Sequence, residues 1–277
     1  MSSIPGWIDS TNRIPGCLPR ASITGQVCSR FPAGWVIPKV DWPALLADPN
    51  RINMRPSIPV VLDQDGVGSC ATESSTGSVM AINSFNGRPF TLLNPWFVYH
   101  TTSGGRDGGS NIDTNLVFIR EHGIAPESVW PRSKGFRAKP SEEAVAAALD
   151  YRILEFYDIT NDVEFGSSLL LGFPVVYGRS GHSILATDLL ELDLFEYLNS
   201  WGNWGDAGFG KESLSRSVNY GYGALAIRAT TSSGSMPTPN LVASIPRPEH
   251  LMFVPRKNPL VIEPFPLQPI GCSCRYS

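Results

Sequence analysis

Charge is scarce in this sequence: lysine, arginine, aspartate and glutamate together make up 17% of its 277 residues, and they leave a formal net charge of -3. Without a basic excess there is no stripe to neutralise phosphates, so a nucleic-acid partner is excluded. Long apolar runs are also missing. The most apolar stretch, Leu169 to Val176, is broken by Gly172 and Pro174 and is far too short to cross a bilayer as a helix, so no membrane partner is expected. The opening residues Met-Ser-Ser-Ile-Pro-Gly-Trp lack a basic start followed by an apolar core, and no secretory signal is read there. Cysteine is sparse and unevenly placed. Positions 17, 28, 272 and 274 lie in the terminal regions, which leaves Cys70 alone in the middle. An unpaired cysteine is either a small buried hydrophobe or a reactive thiol, and its neighbours decide between them.

What the chain does have is 42% hydrophobic residues, enough for a proper core, together with 24 prolines and 26 glycines that predict turns, extended segments and short helices. Residues 1–55 carry prolines 5, 15, 19, 32, 38, 43 and 49 without sustained periodicity, which reads as an extended N-terminal arm. Residues 56–231 hold nearly all the recognisable pattern, and 232–277 return to proline spacing as a C-terminal tail. Within the central block, Ser69–Phe85 has small and apolar residues at helical spacing and ends at Asn86-Gly87, so a helix should begin at Cys70. Further helices are predicted after Asn94-Pro95, over Asp113–His122 with Gly123 beyond its end, and over Ser141–Leu149. From Arg152 the pattern turns to β, with runs at 153–157, 174–177, 183–186, 194–198 and 224–227. Helices followed by strands imply an α+β arrangement of two lobes, 56–150 and 151–231, with any shared site in the cleft between them.

The segment Gln64-Asp65-Gly66-Val67-Gly68-Ser69-Cys70 sets a thiol at a helix start behind glycines that keep its approach open. Free N–H groups and the positive end of the helix dipole favour thiolate there, and an adjacent imidazolium favours it further. His182 opens a strand, and Asn199 follows a second strand 17 residues later, a spacing that lets two strands carry the pair together. An asparagine oxygen accepting from one ring nitrogen leaves the other to face the thiolate, while Trp201 shields that bond from water.

In these motifs the sequence resembles the papain family of cysteine peptidases, over about 56–231. Gln64 to Cys70 looks like the family's oxyanion glutamine and nucleophile, and Leu93-Asn94-Pro95-Trp96-Phe97 like its second helix start. Asp107-Gly108-Gly109-Ser110 is similar to the paired glycines whose backbone holds substrate. Gly181-His182 and Asn199-Ser200-Trp201-Gly202, with Trp204-Gly205 and Gly208-Phe209 behind them, look like the remaining catalytic motifs. The resemblance implies a two-lobed fold with a helical lobe and a β-barrel-like lobe. It also implies Gln64, Cys70, His182 and Asn199 as catalytic residues, and Gly108, Gly109 and Trp201 as substrate contacts. Ala71 departs from the family's usual aromatic, Asp65 from its glycine and Val67 from its cysteine, and only six residues lie between Val175 and His182 where the family has a long excursion.

The expected reaction is peptide-bond hydrolysis by the Cys70 thiol, on a peptide or protein substrate and with no metal or organic cofactor. Two alternatives stand beside it. One is a structural or binding module within a larger assembly such as a virus particle, suggested by the two tails, and the other is cleavage of peptidoglycan cross-links. The helical prosegment usual in the family is not read in 1–55. Apolar anchors between the prolines of 232–277, Leu251 to Phe265, predict that the tails dock on a partner or on the domain itself, giving an oligomer or larger assembly. A location within a cell or a virion is expected. Cys17, Cys28, Cys272 and Cys274 are left open between disulfides and zinc, although their spacing fits no standard zinc pattern.

Overall fold

The computed structural model describes residues 15–20, 28–231 and, in backbone alone, 234–235. The expectations for Cys272, Cys274 and the anchors 251–265 lie outside these residues. The helices are α1 (Trp42–Leu46), α2 (Cys70–Phe85), α3 (Pro95–Thr102), α4 (Ile112–His122), α5 (Glu142–Ala148), α6 (Asp162–Leu170) and α7 (Leu214–Ser217). The strands are β1 (Ser29–Arg30), β2 (Ile153–Asp158), β3 (Val175–Arg179), β4 (His182–Glu191), β5 (Leu194–Leu198), β6 (Phe209–Ser213), β7 (Ala224–Thr230) and β8 (Gly234–Ser235). They form one sheet in the order β1-β2-β7-β3-β4-β5-β6, with β8 on β7 and every pair antiparallel except β1 with β2.

Local chemistry accounts for most boundaries. Asn94 caps α3 by accepting from the Trp96 N–H, with Pro95 at the first helical position. Asn111 caps α4 through the Thr114 N–H, and Gly123, at φ 76°, ends it in a conformation that favours glycine. The central helix α2 is different, because every residue from Cys70 to Asn83 is buried. Most hydroxyls of this covered helix find acceptors on the backbone, although Thr76 Oγ1 and Glu73 Oε2 have no hydrogen-bond partner among the described residues. The hydroxyl of Thr72 donates to the Ser69 carbonyl, those of Ser74 and Ser75 to Ala71, and that of Ser78 to Ser75.

Residues 28–55, expected as an extended arm, pack into the body instead. Phe31, Ile37, Trp42, Leu45 and Met54 join the core. Trp42 is fully buried, donates from its indole to the Ile37 carbonyl at 2.9 Å, and lies so close to Gly166 of α6 that any Cβ there would overlap its ring. The prolines of this stretch break up regular structure while its large apolar residues still seek burial, and periodicity reports only the former. No described helix is long and apolar enough to cross a membrane.

Candidate active site

Cys70 is the first residue of α2 and is wholly buried. It is reached through a tight loop in which Asp65 and Gly66 both have positive φ, at 50° and 76°. The loop is closed by hydrogen bonds from the Val67 N–H to the Gln64 carbonyl and from the Gln64 side-chain amide to the Val67 carbonyl. Asp107 supports it from the helical lobe, since its Oδ1 accepts from the Gly68 N–H and the Tyr99 hydroxyl, both at 2.8 Å. From sequence Asp107 reads only as a turn former; its reach to the loop across 39 positions leaves no local signal.

From the other lobe, β4 begins with His182 and pairs with β5 in the register Leu185 to Leu198, which brings the residue after β5 beside the imidazole. His182 Nε2 lies 2.9 Å from Asn199 Oδ1. An amide oxygen can only accept, so Nε2 carries a proton. Asn199 Oδ1 also accepts from the Ser200 N–H at 2.8 Å, which fixes the amide's orientation. Trp201 stacks on the His182 ring at 4.8 Å between centroids, and Trp204 meets Trp201 edge-on. Gln64 Oε1 accepts from the Trp201 indole and the Ser200 hydroxyl, both at 3.0 Å. The side chains of Gln64, Ser200, Trp201, His182 and Asn199 thus form one connected set. The N–H of Ser183, next to His182, points at the Cys70 sulfur, as does that of Ala71.

A third N–H at that sulfur comes from Gly16. Residues 15–20 run directly over Cys70. The Cys17 N–H donates to the Gly181 carbonyl and the Leu18 N–H to the Ser110 carbonyl, both at 3.0 Å. The Ser110 N–H returns to the Gly16 carbonyl and the Arg20 N–H reaches the Gly221 carbonyl, both at 2.9 Å. Cys17 pairs with Ser110 as a parallel bridge. Gly16 is required, because a Cβ there would overlap the Gly68 carbonyl, and a Cβ on Gly109 would come within 2.5 Å of the Gly16 oxygen. Of the expected substrate contacts, Gly109 therefore borders the segment, Trp201 lies on the imidazole, and Gly108 faces open space. The residue that exchanges main-chain hydrogen bonds with the segment is Ser110.

The fold that carries these residues agrees with solved structures. The chain is similar to xylellain, a cysteine protease from Xylella fastidiosa, with a TM-score of 0.61 and 20% identity over 78% of this chain and 97% of that one. It is similar to digestive procathepsin L 3 of Tenebrio molitor larval midgut, with a TM-score of 0.53 and 17% identity over 72% and 75%. It also resembles the recombinant stem bromelain precursor, with a TM-score of 0.55 and 17% identity over 73% and 75%. The fold is that of the papain-like cysteine peptidases. No protein-family model and no curated protein matches the sequence.

On this papain-like framework the thiol departs from expectation. The helix start was expected to favour thiolate, yet Cys70 is pushed up to about 11. Burial is the main cause, and the N–H groups of Ser183, Gly16 and Ala71 only partly offset it. Covered by residues 15–20, the sulfur has lost the water that would stabilise its charge. Cys17, also buried, is raised further, first by burial and then by the nearby Cys70. Cys17, Cys28 and Cys70 are all free thiols, and among the described residues no group of three His, Cys, Asp or Glu side chains is placed to hold a metal.

Proposed function

We propose that this chain is a thiol peptidase held in a closed form. The observation that carries the reading is that a polypeptide segment lies across Cys70 and is held by main-chain hydrogen bonds, so the cleft is already shaped to grip an extended peptide. With that segment displaced, the Cys70 thiol transfers its proton to His182 Nδ1, and the thiolate attacks a peptide carbonyl carbon. The oxyanion is received by the Cys70 N–H and by the side-chain amide of Gln64. The imidazolium protonates the leaving amine as the C–N bond breaks, leaving an acyl thioester. A water molecule, deprotonated by His182, then attacks the thioester, releasing the carboxylic acid and restoring the thiol. Asn199 keeps the ring in the tautomer this requires.

The test compares casein digestion by the wild type, Cys70→Ala and His182→Ala, with thermal unfolding as the control for folding. Loss of digestion in both variants at unchanged melting supports the mechanism; turnover retained in Cys70→Ala removes it. Assembly through residues 1–55 and 232–277 is a separate proposal, tested by measuring the molar mass of the full chain by light scattering.

A further inference from the structure

The main-chain bonds that hold residues 15–20 are blind to sequence, because every residue except proline offers the same N–H and C=O. Discrimination has to come from side chains. Gly16 and Cys17 are buried, whereas Leu18 and Pro19 are exposed. The chain re-enters the protein at Arg20. Its Nε donates to Asp113 Oδ2 at 3.0 Å, one terminal nitrogen donates to Asp113 Oδ1 at 2.6 Å, and the other donates to Asp158 Oδ1 at 2.7 Å. This is a bidentate grip on one carboxylate with a second carboxylate across the remaining nitrogen, a geometry that a planar guanidinium satisfies and an ammonium does not. The side chain of Asp113 is 1% exposed with Arg20 in place. The two acids come from different lobes, Asp113 from the first turn of α4 and Asp158 from the end of β2, so the site lies where the lobes meet, on the line of the segment.

We infer that Asp113 and Asp158 form a subsite for an arginine side chain of the peptide that the cleft binds, an inference that rests on the peptidase reading above. Residues 15–20 occupy it in cis. A peptide running the same way would take over the bonds to Gly181, Ser110 and Gly221, and would be selected for a small side chain where Cys17 is buried and an arginine three residues later. Leu18 and Pro19 mark the positions that the protein leaves unread.

The test uses the full-length Arg20→Ala chain and follows alkylation of Cys70 by iodoacetamide, mapped by mass spectrometry. Two synthetic peptides compete. One copies residues 15–22 with serine in place of the cysteine, and its twin has leucine in place of the arginine. Cys70 in the Arg20→Ala chain should react faster than in the wild type, and the arginine peptide should protect it at a concentration about tenfold lower than its twin. Adding Asp113→Asn should erase the difference; if that chain fails to fold by thermal unfolding, Asp158→Asn provides the same comparison. Equal protection by the two peptides, or none by either, overturns the subsite. Casein digestion run in parallel separates the two readings. Discrimination without casein turnover by the Arg20→Ala chain, whose segment is loosened, keeps the subsite and removes the peptidase, while turnover without discrimination does the reverse.

Discussion

In the closed chain, alkylation of Cys70 should rise with pH and reach half its maximum only near pH 11. The ordinary thiol value of 9.0 is raised to about 11, and two pH units correspond to about a hundredfold less thiolate at any pH well below both. At neutral pH the reactive fraction is then on the order of 1 in 10,000. The cause can be tested because it is divided between opposing effects. Burial of the sulfur raises the value, while the Gly16 N–H carried by residues 15–20 lowers it, and burial is the larger of the two. Lifting the segment returns water to the sulfur, and the Arg20→Ala profile should move to lower pH. The assay is the iodoacetamide rate at Cys70 across the pH range in wild type and Arg20→Ala, read by mass spectrometry so that Cys17 and Cys28 are scored separately. A wild-type rate already on a plateau between about pH 5 and 8 would refute the reasoning, since it would mean an ion pair persists beneath the segment.

Three further outcomes follow from the packing. Gly16→Ala forces a Cβ into the Gly68 carbonyl and should lift the segment, speeding Cys70 alkylation at neutral pH with little change in melting; an unchanged rate would show that Gly16 does not seal the site. Gly166→Ala drives a methyl into the buried Trp42 ring and should cost about 1–3 kcal/mol, read as a lower urea midpoint at constant slope. Glu73, wholly buried one turn after Cys70, is raised by burial to about 7 despite the Arg132 guanidinium 2.9 Å away. Its folded value exceeds its ordinary 4.5, so its contribution to stability is present below about pH 4.5 and is lost as pH rises through about 7. Glu73→Gln should flatten the stability profile over that window by up to about 3 kcal/mol, measured by urea unfolding at its two ends.

The parts of the fold legible in the sequence are those governed by local rules. α2 to α5 start where Ser69, Asn94, Asn111 and Ser141 precede them, and the turn residues Asn86-Gly87 and Gly123 stand where α2 and α4 end. α6 was not read, because Gly166, Ser167 and Ser168 interrupt its apolar stripe and its end merges with the Leu169–Val176 run. β6 was not read either: Gly210 and Lys211 lower its strand propensity, and Glu212 is drawn inward to Arg179 and Tyr177. The prolines of residues 1–55 correctly suggest little regular structure but say nothing of where the chain lies. Nothing local marks the path of residues 15–20 over Cys70. Arg20 meets Asp113 across 93 positions and Asp158 across 138, and a single sequence records no such pairing.

The loop before Cys70 is sewn to the opposite lobe. The Gln64 N–H donates to the Ser200 carbonyl and the Gly202 N–H to the Leu62 carbonyl, both at 3.0 Å, and Asp63 pairs with Trp201 as an antiparallel bridge. Gln64 is thereby moored to the β lobe only six residues before Cys70 enters the helical one. A swing of the lobes about a hinge would have to tear those stitches and would part the Gln64 amide from the sulfur in the same movement. The groove is therefore built to stay at one width. On the peptidase reading proposed above, a substrate would gain entry by unthreading residues 15–20, and the rate of first turnover would be set by how readily one strand of chain peels away.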